Sequence, residues 1–318
     1  MDIRHLKYFI AISEEPSLSA AALRLRVAQP SLSQHVIKLE EELGVPLITR
    51  SPRGIKLTEE GRLLARHARD ICRSLDKCVD EMKATVGVVQ GTITFGMPPS
   101  VSMVMSVPLA ETVRIEYPAV RLQATEAMSG FLKTWIEDRT VDIGFLYDLE
   151  GKEHFRAIHI LDEELCFFSA PDAWPLETPP GVPVPLARLA GLDLILPSPS
   201  HGLRKSIERH AATRDMTLNV VIEMDAMTQI KELVARGSGY TIFAPAAAHD
   251  FIARGELVKS PIIEPVMSRP VHLVTNPAHP MTNACRAIER ITLEVARDLV
   301  HRGIWEGRLS PEMEPALR

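Results

Sequence analysis

Residues 17–44 read SLSAAALRLRVAQPSLSQHVIKLEEELG, and this stretch decides the fold of the N-terminal part of the chain. Ser17 suits the N-cap of a helix over Leu18 to Leu25, because a serine hydroxyl can pair an amide left open in the first turn. Ala20, Ala21 and Ala22 are small enough for a close helix crossing. Pro30 marks a second start, since the amide it lacks would be unpaired there anyway. Leu32, Val36, Leu39 and Leu43 then recur at helical spacing over Ser31 to Leu43, pointing inward, and Gly44 can adopt the left-handed conformation that ends a helix. Two short helices joined by a tight turn predict a helix-turn-helix.

Working outward, Leu6, Phe9, Ile10 and Ser13 share one face of a preceding helix. The outward face of the later helix carries Gln29, Pro30, Ser31, Ser33, Gln34, His35 and Lys38, uncharged or basic as a major-groove helix needs. A glutamine can pair with both N6 and N7 of adenine, and short hydroxyls reach bases or phosphates. Downstream, Pro46 to Arg50 and Gly54 to Thr58 read as two strands of a wing tipped by Arg53 and flanked by Arg50 and Lys56. The competing reading is a small helical domain with a solvated polar face.

In order and spacing, the motifs LKYF (6–9), SLSAAA (17–22), AQPSLSQ (28–34), LEEELG (39–44) and RSPRGIKLTEEG (50–61) resemble the LysR-type transcriptional regulators. Within that family the pattern is most similar to the nitrogen assimilation control group. One departure is Ala28, where many members place serine, a better helix cap by about 1 kcal/mol. The resemblance implies double-stranded DNA as partner, a homodimer or homotetramer, and a C-terminal sensor of two subdomains crossed twice by the chain. That architecture is like a periplasmic binding protein, with a ligand cleft between the subdomains. A regulator of this kind has RNA polymerase as a further candidate partner.

The expected fold class is therefore α/β: a winged helix-turn-helix over 1–58, a linker helix over 59–88 and an effector-binding domain over 91–302. Its first subdomain comprises 91–161 with 268–302, its second 162–267, and 303–318 is expected to be a flexible tail. In the linker helix Leu64, Ala68, Ile71, Leu75, Cys78 and Met82 alternate by four and three, a seam for a second copy. The alternative is a helix packed on its own domain. In the sensor, alternating strand-like and helix-like runs argue for a mostly parallel sheet. Open sheets of that kind bind ligands where strand ends meet helix starts. Three such corners are Pro99-Ser100-Val101, Met128-Ser129-Gly130, and Ser198 with Ser200-His201-Gly202. Open amides at helix starts attract anions, which points to a small carboxylate effector. The serines serve equally well, one by one, as simple helix caps.

The net charge of -5 is uneven: residues 1–90 carry 14 Lys and Arg against 12 Asp and Glu, the remainder 22 against 29. That suits a DNA-facing head on an acidic body. Cys72, Cys78, Cys166 and Cys285 show neither C-x-x-C nor zinc-site spacing and read as reduced thiols. No metal or cofactor is expected. The chain shows no apolar signal-peptide core and no stretch apolar enough to span a bilayer, so a cytoplasmic location without membrane contact is expected. No G-x-S-x-G, zinc triad or phosphate loop supports an enzyme. A solute-binding protein and a thiol-redox sensor of the same family are the other readings.

Overall fold

The computed structural model describes residues 1–51, 54–84, 89–278 and 281–313. It divides into two compact units: residues 1–91 with 278–283, and residues 92–277 with 284–318.

The first unit holds α1 (Ile3–Glu14), α2 (Leu18–Leu25), α3 (Gln29–Leu43), β1 (Ile48–Ser51), β2 (Gly54–Leu57) and α4 (Glu59–Ala84). Ser17 caps α2 as its sequence suggested, with Oγ accepting from the Ala20 amide at 3.1 Å. Helix α3 begins two residues earlier than expected, at Gln29, with no side-chain bond from Ala28. Leu32, Val36 and Leu39 join Phe9, Ile12, Leu18, Ala21 and Ala22 in one core. Leu43, expected to point inward, is 40% exposed, because the helix ends at Gly44 beyond the edge of that core. Glu40 accepts from the amides of Leu47 (2.7 Å) and Ile48 (3.2 Å), fixing where β1 starts. At the other end of the wing, a side chain on Gly54 would meet the Pro16 carbonyl at 2.2 Å, and its φ of +118° is also glycine's. Ile55 donates to that same carbonyl at 3.1 Å, so glycine lets the wing dock on the α1–α2 turn.

Helix α4 has two apolar faces with different fates. Ala68 and Cys72 bury against Leu6 of α1, with half-buried Leu64, Ile3 and Ile10 around them. Arg69 adds bonds to Ser13 (3.0 Å) and Glu14 (3.3 Å). Ile71, Leu75, Val79 and Met82 lie exposed, and so does Cys78. The seam drawn through 64, 68, 71, 75, 78 and 82 is thus corrected: its first two members are packed within the unit, as α4 leans on α1 over its first turns. Residues 85–88, assigned to the same helix from the sequence, lie outside the described residues.

The second unit contains a sheet in the order β14-β6-β13-β5-β3-β4, with β3 (Gly91–Met97), β4 (Val120–Glu126), β5 (Ile143–Leu146), β6 (Arg156–Glu164), β13 (Ser268–Thr275) and β14 (Arg308–Leu309). Around it stand α5 (Pro99–Glu116), α6 (Ser129–Glu137) and α10 (Asn283–His301). A second sheet runs β11-β7-β12-β8, from β7 (Cys166–Ser169), β8 (Val184–Pro185), β11 (Thr241–Phe243) and β12 (Val258–Ile263). A parallel pair, β9 (Leu194–Leu196) and β10 (Val220–Glu223), accompanies it with α7 (Gly202–Ala212), α8 (Met227–Ala235) and α9 (His249–Ala253). Both larger sheets are mixed, not mostly parallel. The reason is the connection between them: β6 and β13 form one long antiparallel ribbon, along which the chain leaves the first sheet and returns. Helix α5 is assigned unbroken through Pro108, where a kink or restart was expected.

The expected frayed tail is also corrected. Trp305 is fully buried, β14 pairs with β6, and a 3-10 turn follows over Pro311–Met313 with Met313 buried. At Gly307 the backbone passes so close to β6 that a Cβ would meet the Asp162 carbonyl at 2.7 Å. Residues 314–318 lie outside the described residues.

Candidate nucleic-acid interface and effector site

On the head, Pro30, Ser31, Gln34 and Lys38 of α3 are exposed and Gln29 is half-buried. Ser33 accepts from Arg50 Nη2 at 2.9 Å, which joins the helix to the first wing strand. Lys56 is exposed on the second strand. Arg53 lies outside the described residues. His35 differs from its neighbours: it packs edge-on against Tyr8 at 5.1 Å and lies 4.9 Å from the His5 ring. Burial, with His5 and Lys38 nearby, holds it below the ordinary imidazole range. His35 therefore ties α3 to α1 as a neutral ring, and Gln34 and Lys38 are the side chains that stand clear. Gln34→Ala is expected to lose about 1–3 kcal/mol of discrimination at one base pair per half-site. Equal loss on selected and random DNA in a binding titration would remove Gln34 from base reading.

In the second unit the first corner is built around Ser100, in the opening turn of α5. Proline supplies the cap position, and Ser100 makes no capping bond. Its buried hydroxyl lies 2.5 Å from the Tyr147 hydroxyl and accepts from Arg269 Nη2 at 3.0 Å. Val101 is fully buried in the core, and Pro99 is half-buried. The Arg269 guanidinium lies over the Tyr147 ring, 3.7 Å from its centroid, and its Nε donates to Glu163 Oε2 at 2.9 Å. Glu163 is completely buried, and its other oxygen accepts from the Trp305 indole at 2.7 Å. Burial works against the charge on Arg269, but the nearby Tyr147 and Glu163 outweigh it and the guanidinium stays charged. Burial pushes the Tyr147 phenol well above its ordinary range, so it remains a neutral hydroxyl.

The third corner lies on the other subdomain. Ser198 is held by Asp225 through its amide (2.9 Å) and its hydroxyl (3.0 Å), and Ser200 contacts Ser198 at 3.0 Å. His201 is the cap of α7, its Nδ1 accepting from the Leu203 amide at 3.1 Å, and Gly202 opens the helix exposed. The His201 pKa is lowered by burial first; Asp225 opposes this and Arg269 adds to it. Arg269 thus acts electrostatically on both Ser100 and His201. At the second corner Ser129 is half-buried as the first residue of α6, and Met128 holds the cap position without a side-chain bond. None of Ser100, Ser129, Ser198 and Ser200 holds the cap position of its helix.

The lowered His201 pKa has a pH consequence. The unfolded chain protonates first, so the cap's contribution is complete above the ordinary histidine pKa of about 6.5 and is lost as pH falls through the folded value. Hydrogen exchange at the Leu203 amide, corrected for intrinsic rates, should show protection falling at some pH below the ordinary histidine value of about 6.5. Constant protection across that window would show that Nδ1 is not the cap.

Sequence reasoning named Ser100 and His201 as candidates but not Arg269, Glu163 and Tyr147, which join Ser100 in one bonded cluster. Arg269 and Ser100 are 169 positions apart and Arg269 and Glu163 are 106 apart, so no local spacing signals them.

Comparison with known proteins agrees with both units. The family described as "Bacterial regulatory helix-turn-helix protein, lysR family" matches residues 3–62, and "LysR substrate binding domain" matches residues 87–297. The nitrogen assimilation regulatory protein nac of Klebsiella aerogenes is 28% identical over 309 residues, covering 97% of this chain and 98% of that protein. A full-length OxyR variant from Pseudomonas aeruginosa has a TM-score of 0.72 at 22% identity, covering 93% and 95% of the two chains. Full-length CbnR, solved in complex with its target DNA, has a TM-score of 0.55 at 21% identity, covering 93% and 100%. These relatives are regulators and not enzymes. Among the described residues no helix is long and apolar enough to cross a membrane. The helix-turn-helix head, the two-subdomain sensor and the profile matches across almost the whole length agree, and the chain belongs to the LysR family of DNA-binding, effector-responsive transcriptional regulators.

Proposed function

We propose that this regulator senses a small carboxylate held by Arg269, and that the bound state changes how the head engages promoter DNA in the cytoplasm. The observation that carries the reading is the buried Arg269 guanidinium bonded to Ser100 at the opening turn of α5. A permanent positive charge beside hydroxyls and open helix amides recognises a carboxylate with charge-assisted hydrogen bonds. Neutral His201, across the corner, adds a polar wall. A ligand held by Arg269 and His201 would couple the two subdomains, and by linkage it must prefer one DNA-bound arrangement over the other. Dimer formation through the exposed residues of α4 and contact with RNA polymerase complete the proposal.

The OxyR likeness raises a thiol-redox reading. The residues of this chain do not favour it. Cys166 is buried, and burial pushes its thiol up to about 12, far from the thiolate that oxidation requires. Cys285 is buried as well.

Ser100→Ala tests the proposal. It removes a hydrogen bond from a charged donor, about 1.5–3 kcal/mol, without changing the backbone of α5. With DNA selected by the full-length protein from a random pool, the variant should need roughly tenfold or more carboxylate for the same response, with unchanged ligand-free affinity. A wild-type response would place the effector elsewhere. Loss of ligand-free DNA binding would mean that Ser100 serves the fold.

A further inference from the structure

We propose that Trp305, on the segment after α10, is a positioning residue for effector recognition: its indole N–H orients Glu163, and Glu163 orients the guanidinium of Arg269. The proposal rests on the carboxylate reading above and adds to it a residue from outside the expected sensor domain.

The path is continuous and buried. Trp305 is fully buried, edge-on to Phe145 with centroids 5.8 Å apart. Its Nε1 donates to one oxygen of Glu163 at 2.7 Å, and Arg269 Nε donates to the other at 2.9 Å. Arg269 then reaches Ser100 with Nη2 at 3.0 Å, and Ser100 meets Tyr147. Glu163 and Arg269 are directly opposite each other on the β6–β13 ribbon that links the subdomains.

A carboxylate facing a guanidinium prefers two parallel hydrogen bonds. Trp305 opposes that tendency by engaging one oxygen of Glu163. The guanidinium is then held by a single oxygen of Glu163, which lies 2.9 Å from both Nε and Nη2, and Nη2 also reaches Ser100. Without the indole donor, Glu163 would keep a buried unpaired lone pair and could rotate to face Nε and Nη2 of Arg269 with both oxygens. The anchor would then turn away from Ser100 and from an incoming carboxylate, which would compete with Glu163 for the same donors. Trp305 supplies no ligand contact in this scheme. Its effect passes through two other side chains.

The test uses the full-length protein and a panel of acetate, succinate and benzoate, with binding measured by calorimetry. Trp305→Phe keeps an aromatic ring and removes the indole donor together with the five-membered half of the indole. Arg269→Lys keeps the charge opposite Glu163 and removes the Nη groups. The proposal expects wild type to bind at least one panel member, Arg269→Lys to lose that binding, and Trp305→Phe to bind it about fivefold more weakly. If Trp305→Phe binds as wild type while Arg269→Lys does not, the positioning role is overturned and the anchor stands. If no panel member binds wild type, or Arg269→Lys binds equally well, the carboxylate reading falls and this proposal falls with it. A ligand-free arm covers the case in which Trp305→Phe does not fold. The chain has 3 tryptophans, so 5-fluorotryptophan labelling gives three fluorine resonances. Ser100→Ala should move the Trp305 resonance and leave that of Trp174 in place. An unmoved Trp305 resonance would show that the path is not coupled and would overturn the proposal.

Discussion

Glu163→Ala is expected to lower the unfolding free energy of the sensor unit by about 3–5 kcal/mol, the cost of leaving a buried charge without its partner. The size follows from the surroundings. Glu163 is completely buried, Arg269 is 7% exposed, and their atoms are 2.9 Å apart. Removing the carboxylate strands the guanidinium beside Tyr147 and leaves the Trp305 indole without its acceptor. A change of that size is a large share of the about 5–15 kcal/mol that holds a typical domain together. Thermal and urea unfolding of the variant, followed by tryptophan fluorescence, measures it. A shift of less than about 1 kcal/mol would mean that water reaches the pair and that the site is open rather than buried.

Leu75→Asp is expected to abolish self-association. Leu75 is 43% exposed, in line with Ile71 and Met82 on the apolar face of α4 that α1 leaves uncovered. Covering a leucine contributes about 1.5–3 kcal/mol, and a symmetric interface counts each substitution twice. The dimer dissociation constant should therefore rise by about two to four orders of magnitude, with a further loss from placing a charge in an apolar seam. Analytical ultracentrifugation with circular dichroism separates dissociation from unfolding. An intact dimer that still binds DNA would show that α4 is not the contact. The corrected seam also separates two classes of variant. Ala68→Asp should damage the fold, since Ala68 is wholly buried against α1, whereas Leu75→Asp should leave the monomer intact.

The legible parts of this protein were those whose signal is local. Helices α1 to α3 follow from a 3.6-residue period with Ser17 and Gly44 at their ends. The strands with unbroken apolar runs, such as Ile143–Leu146 and Cys166–Ser169, could be read in the same way. Strand β6 was not, because Arg156, His159, Asp162 and Glu163 interrupt its apolar pattern. Those residues become intelligible only once β13 and β14 are seen on either side. The tail was misjudged for a related reason: Pro311 and a polar composition suggested fraying, but one tryptophan with a buried acceptor is enough to dock it. In α4 the four-three spacing does not say which turns meet the chain's own head. At the corner around Ser100, sequence located the helix start and could not locate the arginine, whose partners are brought together by the sheet. His35 shows the same limit in the head. It lies on the outward arc of α3 by spacing, yet two aromatic neighbours on α1 hold it there.

A head that reads a defined DNA sequence occupies chromosomal sites that share it. Crosslinking the full-length protein to chromosomal DNA and sequencing the recovered fragments, in parallel with Gln34→Ala, measures this occupancy most directly. Discrete sites containing two related half-sites spaced by about one helical turn or a multiple of it are expected, with enrichment reduced for Gln34→Ala. Fragments spread evenly along the chromosome, equally for both proteins, would contradict it.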